Sequence, residues 1–589
     1  MKKIISALTM CLNVLISQAQ ISYTIDSTAF NALNLEGGMA EVEFADINQG
    51  GHLDILTVGD HGSPFINTNQ HGISVFFGNG TGTGWTLFQN GNFGYGGIAI
   101  GDVNNDRYLD VAYGIHHDYS ATDFGDQLIE AAVGDGTGMN WVPWDDSLAT
   151  AGETYGMFGT DLGDVNNDGW LDIGSGSFGC CAGTHIYLNQ ADGTWQHSFG
   201  YINGNTSHYF QFGDLNHDGN LDFVCCHQNG AAYFGDGTGN FILKQNNLPP
   251  TGNLGYFDVS LGDVDNDGDE DFAFLQGNKP YVYKWNEPTQ QWINLSAGLP
   301  ATGTYFVVKL ADLDMDGYLD LIAERTGVLE IWKGNGGISW TNILNFAVPN
   351  LDDCKDINID DADHNGYPDI LMWAEYYISI FNYDNRLYLF KENSIATALN
   401  ITMTYPKNYE CFPNDAVRFI KWICAIPQNH ASSVKIEFSS TGNAGPWTVV
   451  EAAVPNNGKY QWTVPQGVLS TDCYLRLTAL DSITLNADTA INSNPFQVGI
   501  CNPALFINES YSGTQLSASP NPFRDKTVIY SDLKNCTLTI FDITGKIIFK
   551  NGRVTFPYSI NRNNLSAGMY VAEFTSEGKE PLRLKLLAE

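Results

Sequence analysis

The chain has 589 residues, with 66 Asp+Glu against 28 Lys+Arg and a formal net charge of -38. That length allows three or four domains and a large core. That charge excludes nucleic acid as a partner, because phosphates need cationic contacts. Aromatic residues make up 13% and the chain holds 62 Gly, which argues for folded β structure and against acidic disorder.

The first residues run from a basic pair, Lys2 and Lys3, through a mostly apolar stretch, Ile4 to Ile16, to the small-residue site Ser17-Gln18-Ala19. This order is that of a secretory signal over residues 1–19, cut before Gln20. Cys11 lies inside the apolar stretch behind Met10, a poor fit to a lipoprotein signal. No later segment has the roughly 18 uninterrupted apolar residues of a membrane helix. All cysteines but Cys11 follow the signal, and export permits disulfides among them. Their connectivity is not legible. Cys180-Cys181 and Cys225-Cys226 are adjacent doublets; bridges or buried thiols are expected, with a soft-metal site as the alternative.

Next comes an internal repeat. DINQGGHLD starts at Asp46, DVNNDRYLD at Asp102, DVNNDGWLD at Asp164, DLNHDGNLD at Asp214, DVDNDGDED at Asp263, DLDMDGYLD at Asp312 and DADHNGYPD at Asp361. The copies recur every 49 to 62 residues. Calcium takes six to eight oxygens at about 2.3–2.6 Å. Side chains at loop positions 1, 3, 5 and 9 can turn onto one ion, a carbonyl at position 7 adds a ligand, and Gly at position 6 permits the sharp turn. Asp/Asn-rich turns that bind nothing are the alternative for one loop, but seven in register point to calcium.

The candidate ligands, loop by loop, are Asp46, Asn48 and Asp54; Asp102, Asn104, Asp106 and Asp110; Asp164, Asn166, Asp168 and Asp172; Asp214, Asn216, Asp218 and Asp222; Asp263, Asp265, Asp267 and Asp271; Asp312, Asp314, Asp316 and Asp320; and Asp361, Asp363, Asn365 and Asp369. Loops five and six carry Asp at all four positions and are expected to bind most tightly. Loop one has Gly50 at position 5 and is expected to be weakest. In loop two Arg107 replaces the turn glycine, which strains the turn without removing a ligand.

Alternating runs flank each loop, such as GGIAIGD (96–102) before and LDVAYG (109–114) after, and Gly-rich hairpins follow, such as AYFGDGTGNF (232–241). Four strands per unit repeated seven times predict an all-β protein with a seven-bladed β-propeller, which protects its sheet edges by circular closure; a linear solenoid is the alternative. Residues 23–393 resemble the FG-GAP repeats of integrin α-subunit propellers and their bacterial relatives. DVNNDGWLD preceded by Met157-Phe158-Gly159 carries the pattern, although the GAP tripeptide is missing. The resemblance implies the propeller and calcium, up to seven structural Ca2+, and says little about a ligand.

Residues 400–499 lack the acidic loops and alternate in VRFIKWICAI (417–426), SVKIEFSSTG (433–442), KYQWTVP (459–465) and CYLRLTAL (473–480). This predicts a small antiparallel β-sandwich, similar to immunoglobulin-like or fibronectin-like modules. Cys411, Cys424, Cys473 and Cys501 could brace it. A spacer is its expected role, a carbohydrate-binding module the sharper one. Residues 514–589 form a second small β-sandwich and resemble the C-terminal sorting domain of type IX secretion substrates from Bacteroidota, through Pro520-Asn521-Pro522-Phe523, Asp542-Ile543-Thr544-Gly545-Lys546, and Leu565 to Tyr570. That resemblance implies contact with the type IX machinery, export across the outer membrane, and a secreted or cell-surface location.

If each acidic loop joins the first and second strands of a blade, the second-to-third connections lie on the opposite face. These are long in the first three blades, at roughly 59–72, 115–127 and 176–184. Long loops are often functional. His61, His116 and His117, with His227 in blade four, mark a candidate ligand face with Phe65, Tyr119 and Phe178 as aromatic surface. The leading expectation is a non-catalytic binding protein for adhesion to a glycan or an extracellular protein. The alternatives are a polysaccharide lyase or hydrolase on the same scaffold and a structural surface-layer component. No Ser-His-Asp order, zincin motif or separable carboxylate pair is present in the sequence, so no catalytic residue is assigned.

Overall fold

The computed structural model describes residues 21–26, 30, 41–59, 72–90, 96–115, 127–148, 157–177, 183–202, 209–226, 231–249, 258–337, 339–349, 351–379, 382–499, 501, 516–519, 526–531, 534, 536–542, 546–562, 565, 568–575 and 582–588. Their regular structure is β throughout, and no helix among them is long and apolar enough to cross a membrane.

Among the described residues, 23–392 build seven antiparallel four-stranded sheets. In blade one the strands are Val42–Ala45, Asp54–Gly59, Gly72–Gly78 and Trp85–Asn90, paired in chain order. Blades two to six repeat that order. Their first strands are Ile98–Gly101, Met157–Gly163, Phe210–Gly213, Val259–Gly262 and Val307–Ala311. Blade seven begins with Asp353–Asp360, and its outer strand is Tyr23–Asp26, paired with Leu389 to Glu392. Each first strand contacts the first strand of the next blade, and blade seven contacts blade one. The sheets therefore form a closed propeller.

Burial follows from this stacking. Second strands lie between neighbouring sheets, so Asp110–Gly114 is buried throughout and Asp320–Arg325 is buried except at its last residue. Such strands read as apolar runs and not as alternation. Outer strands meet water on one side, and Gln291–Asn294 buries only Trp292 of its four residues.

First strands would present an unpaired edge to the central canal, where each buried N–H needs an acceptor. Side chains of the preceding blade supply it. Asp356 Oδ2 and Asn358 Oδ1 of blade seven accept the N–H groups of Val42 (2.8 Å) and Phe44 (3.2 Å) in blade one. Glu41 accepts from Ile98, Asp161 from Phe212, Gln211 from Leu261, and Ser260 from Leu310. Lys309 of blade six stands 3.2 Å from both Asp258 and Asp356, tying blades five, six and seven together. Burial raises the Asp258 carboxyl to about 7, against the pull of Lys309.

Residues 400–498 form a three-stranded sheet, Asn400–Tyr405, Val417–Ala425 and Lys459–Thr463, and a six-stranded one that includes Ser432–Ser439, Thr448–Pro455 and Ser470–Asp481. Both contribute to one core around Trp422, Trp462, Phe438 and Phe496. Of the four cysteines expected to brace this domain, Cys411 and Cys501 are bonded, while Cys424 and Cys473 are buried thiols within the core. The C-terminal segment has a three-stranded and a four-stranded sheet over a core of Leu538, Ile540, Phe574 and Leu586.

Two stability effects follow. Asp356→Ala removes the acceptor for Val42 and one partner of Lys309, and is expected to cost about 3 kcal/mol in denaturant unfolding. Arg107 holds φ at 77°, where the six sister loops have glycine at φ 79° to 97°. Arg107→Gly should stabilise by roughly 0.5–1 kcal/mol, read in the same experiment.

Candidate functional site

The nine-residue acidic loops all join the first and second strands of a blade, for example between Gly262 and Asp271 or between Ala311 and Asp320. The fourth residue of each takes a left-handed conformation, from Gln49 at φ 55° to His217 at φ 62°. The position-1 aspartate then caps the turn. Asp263 Oδ1 and Oδ2 accept the N–H groups of Asp267 (3.0 Å) and Gly268 (2.9 Å), and Asp46, Asp102, Asp164, Asp312 and Asp361 do the same in their loops.

The position-9 aspartate is fully buried in every loop. Its Oδ2 accepts the N–H of loop position 2, as Asp110 does from Val103 at 2.8 Å. In six blades its Oδ1 accepts an N–H from the third strand: Gly78, Gly134, Asn189, Gly235, Gly334 or Glu392. Glycine at this point allows close backbone approach, since a Cβ on Gly334 would stand 2.0 Å from the Leu319 carbonyl oxygen. Burial is the largest cause raising these carboxyls, Asp54 to about 7 and Asp110 and Asp320 to about 8.

Carboxylate oxygens of Asp263, Asp265 and Asp267 lie within 4.8 Å of one another, as do those of Asp312, Asp314 and Asp316, and those of Asp361, Asp363 and Asp369. Asp265 Oδ1, Asp271 Oδ1 and Asp314 Oδ1 are buried and take no hydrogen bond. Orphaned, converging carboxylate oxygens fit a hard divalent cation. In loops two to four the position-3 asparagine instead donates its amide to the position-5 aspartate: Asn104 to Asp106 (2.9 Å), Asn166 to Asp168 (2.8 Å) and Asn216 to Asp218 (3.2 Å). In loop one Asn48 Oδ1 accepts the N–H of Gly50. In loop seven Asn365 Oδ1 accepts from Tyr367.

Three lysines join these loops that the motif did not indicate. Lys284 Nζ bridges Asp265 (2.8 Å) and Asp267, Lys333 bridges Asp314 and Asp316 (2.7 Å), and Lys391 stands 2.7 Å from Asp363. A sequence signal existed: Lys284 and Lys333 each stand 13 residues beyond the last aspartate of their loop.

The second domain sits on this loop face. Gln461 exchanges hydrogen bonds with the Asp102 backbone at 3.0 and 2.9 Å. Val417 donates its N–H to Asp164 Oδ2 at 2.8 Å. Buried Arg418 donates to Asn167 Oδ1 and the Gly219 carbonyl. Asn408 binds Asn266, Lys407 the Gly317 carbonyl, and Ile426 the His364 carbonyl. Lys421 and Lys459, paired across two strands of this domain, approach the canal mouth. There burial raises the Glu43 carboxyl to about 7 and Asp360 to about 6, opposed by these lysines. The expected spacer is thus packed against the propeller. His61, His116, His117 and His227 lie outside the described residues, as do Phe65, Tyr119, Phe178 and the Cys180-Cys181 doublet.

A profile of the FG-GAP-like repeat matches residues 164–225 and 263–323, and one of the secretion system C-terminal sorting domain matches residues 517–587. No curated protein matches the chain. Among solved structures, an Agrocybe aegerita lectin that recognises non-reducing terminal N-acetylglucosamine aligns at 17% identity and TM-score 0.38, over 53% of this chain and 80% of its own. An ancestral GH74 enzyme aligns at 9% identity and TM-score 0.36, over 94% of this chain and 63% of its own. At these scores neither bears on ligand or reaction. The chain carries FG-GAP-like repeats on a β-propeller and a C-terminal sorting domain, which marks it for type IX export to the cell surface or the extracellular space.

Proposed function

We propose that the protein is a secreted or cell-surface propeller, stiffened by up to seven structural calcium ions, that binds a glycan or an extracellular protein without catalysing a reaction. One observation carries this reading: the second domain is hydrogen-bonded across the loop face. A partner of the propeller therefore approaches from the opposite face, to which the second-to-third connections lead. His61, His116, His117 and His227 belong to that side by loop parity. Imidazole and aromatic side chains are residue types that suit sugar hydroxyls or protein side chains.

Each ion would be held by the side chains at positions 1, 3, 5 and 9 of its loop, with the carbonyl of position 7. Calcium would supply the charge that the clustered carboxylates lack, and the unbonded oxygens of Asp265, Asp271 and Asp314 support this assignment. The ions are scaffold. They set the loop face against the second domain and leave recognition to the other side.

Removing calcium should lower the melting temperature before it alters any ligand contact, and scanning calorimetry in excess chelator reads this directly. The calcium-free protein should also depend on pH. Asp54, Asp110 and Asp320 have folded pKa values raised to about 7, 8 and 8, above those of the unfolded chain. Their contribution to stability is full at low pH and is lost as pH rises through that range. The metal-free Tm should therefore rise between pH 9 and pH 6, and a fall would contradict the assignment. For the ligand face, the mature protein and its His61→Ala/His116→Ala/His117→Ala variant should be compared on a glycan array and against extracellular proteins. Binding that the triple variant loses at unchanged Tm is expected. Binding unaffected by the variant would refute the face, and turnover of any arrayed glycan would favour the enzyme.

A further inference from the structure

The seven loops fall into two chemical classes that the motif alone obscures. Loops one to four have asparagine at position 3: Asn48, Asn104, Asn166 and Asn216. Loops five to seven have aspartate there: Asp265, Asp314 and Asp363. The residue facing the position-9 aspartate on the third strand divides the same way. Continuing the strand registers by one pair places Phe77, Val133, Leu188 and Phe234 opposite Asp54, Asp110, Asp172 and Asp222. In blades five to seven the same position is Lys284, Lys333 and Lys391. Each extra carboxylate is therefore accompanied by an ammonium group from the neighbouring strand.

The geometry explains the match. Lys284 Nζ bridges the Oδ2 atoms of Asp265 and Asp267, and Lys333 Nζ those of Asp314 and Asp316. Lys391 Nζ bonds Asp363 Oδ2 and the Thr81 carbonyl of blade one. In loops two to four the asparagine amide makes the equivalent bond to the outer oxygen of the position-5 aspartate. In loops five and six the lysine holds the outer oxygens, while Asp265 Oδ1 and Asp314 Oδ1 stay buried and unbonded. Position-3 aspartate plus lysine thus reproduces asparagine, in charge and in hydrogen bonding. Counted over the four ligand positions and the lysine alone, loops two to six then each carry three negative charges.

We propose that Lys284, Lys333 and Lys391 are resident counter-ions that cancel the extra aspartate of loops five to seven, so that loops five and six bind calcium no more tightly than loops two to four. The inference rests on the calcium reading above and revises the ranking expected from carboxylate number alone. An ammonium shared by two ligand carboxylates repels an incoming divalent ion and draws charge from its ligands. It also keeps the calcium-free loop from flying apart.

The test is a double-mutant cycle in loop five of the mature protein, with Lys284→Met, Asp265→Asn and the pair. Methionine keeps the buried stem without the charge. Amide hydrogen exchange of each loop, followed against free calcium, gives a midpoint per loop. In the wild type the midpoints of loops five and six should lie within tenfold of those of loops two to four. Lys284→Met should move the loop-five midpoint at least tenfold to lower calcium and lower the calcium-free Tm. Asp265→Asn should move the midpoint at least tenfold the other way. The double variant should return to within threefold of wild type and fold normally. A Lys284→Met midpoint that is unchanged or raised would overturn the inference, as would a double variant that fails to fold. If Lys284→Met itself does not fold, the double variant's midpoint decides alone. A wild type with no calcium-dependent protection in any loop would sink the calcium reading as well.

Discussion

Each blade depends on a carboxylate buried where the loop re-enters the sheet. The position-9 aspartate takes one N–H from the start of its own loop and, in six blades, a second from the third strand. It fixes the loop, the second strand and the third strand to one point. A buried charge in such a place is costly unless it is bonded on both oxygens. The bond to the start of the loop is made by the aspartate of all seven copies, the second is made in six, and the facing backbone is glycine in four of them.

A second layer of the same chemistry closes the ring. Acceptors on one first strand meet donors on the next, from Asp356 and Val42 round to Ser260 and Leu310. The canal is polar because the inner edges need partners. The second domain completes the pattern by meeting the loops with side chains that suit exposed carbonyls, among them Arg418, Lys407 and Asn408. Scaffold, canal and cap thus share one solution to the problem of unpaired backbone groups.

Much of this was legible. The repeat DxNxDGxxD announced the loops, their spacing announced four strands per unit, and the loop-to-strand junctions fell where an apolar run begins at Asp110 or Asp320. Other features were not legible, for physical reasons. The pairing of Tyr23–Asp26 with Leu389 to Glu392 joins segments more than 360 residues apart, which no local pattern records. The seat of the second domain is made by single polar residues, such as Gln461, without periodicity. Cys411 and Cys501 pair across 90 residues while the nearer Cys424 and Cys473 point into the core. The lysines of blades five to seven were visible as letters, but their meaning required the register that sets them opposite an aspartate.

The outer strand of blade seven comes from the beginning of the chain. It has no sheet to join until the last blade has been made. A polypeptide released from a secretion channel would therefore hold six blades in order while its first strand waits, and the ring would lock in one long-range step at the end. Such non-local closure is slow compared with the hairpins that precede it. A short cut near Tyr23 would deprive blade seven of its outer edge and leave the first-strand joint between Asp356 and Val42 to hold the ring.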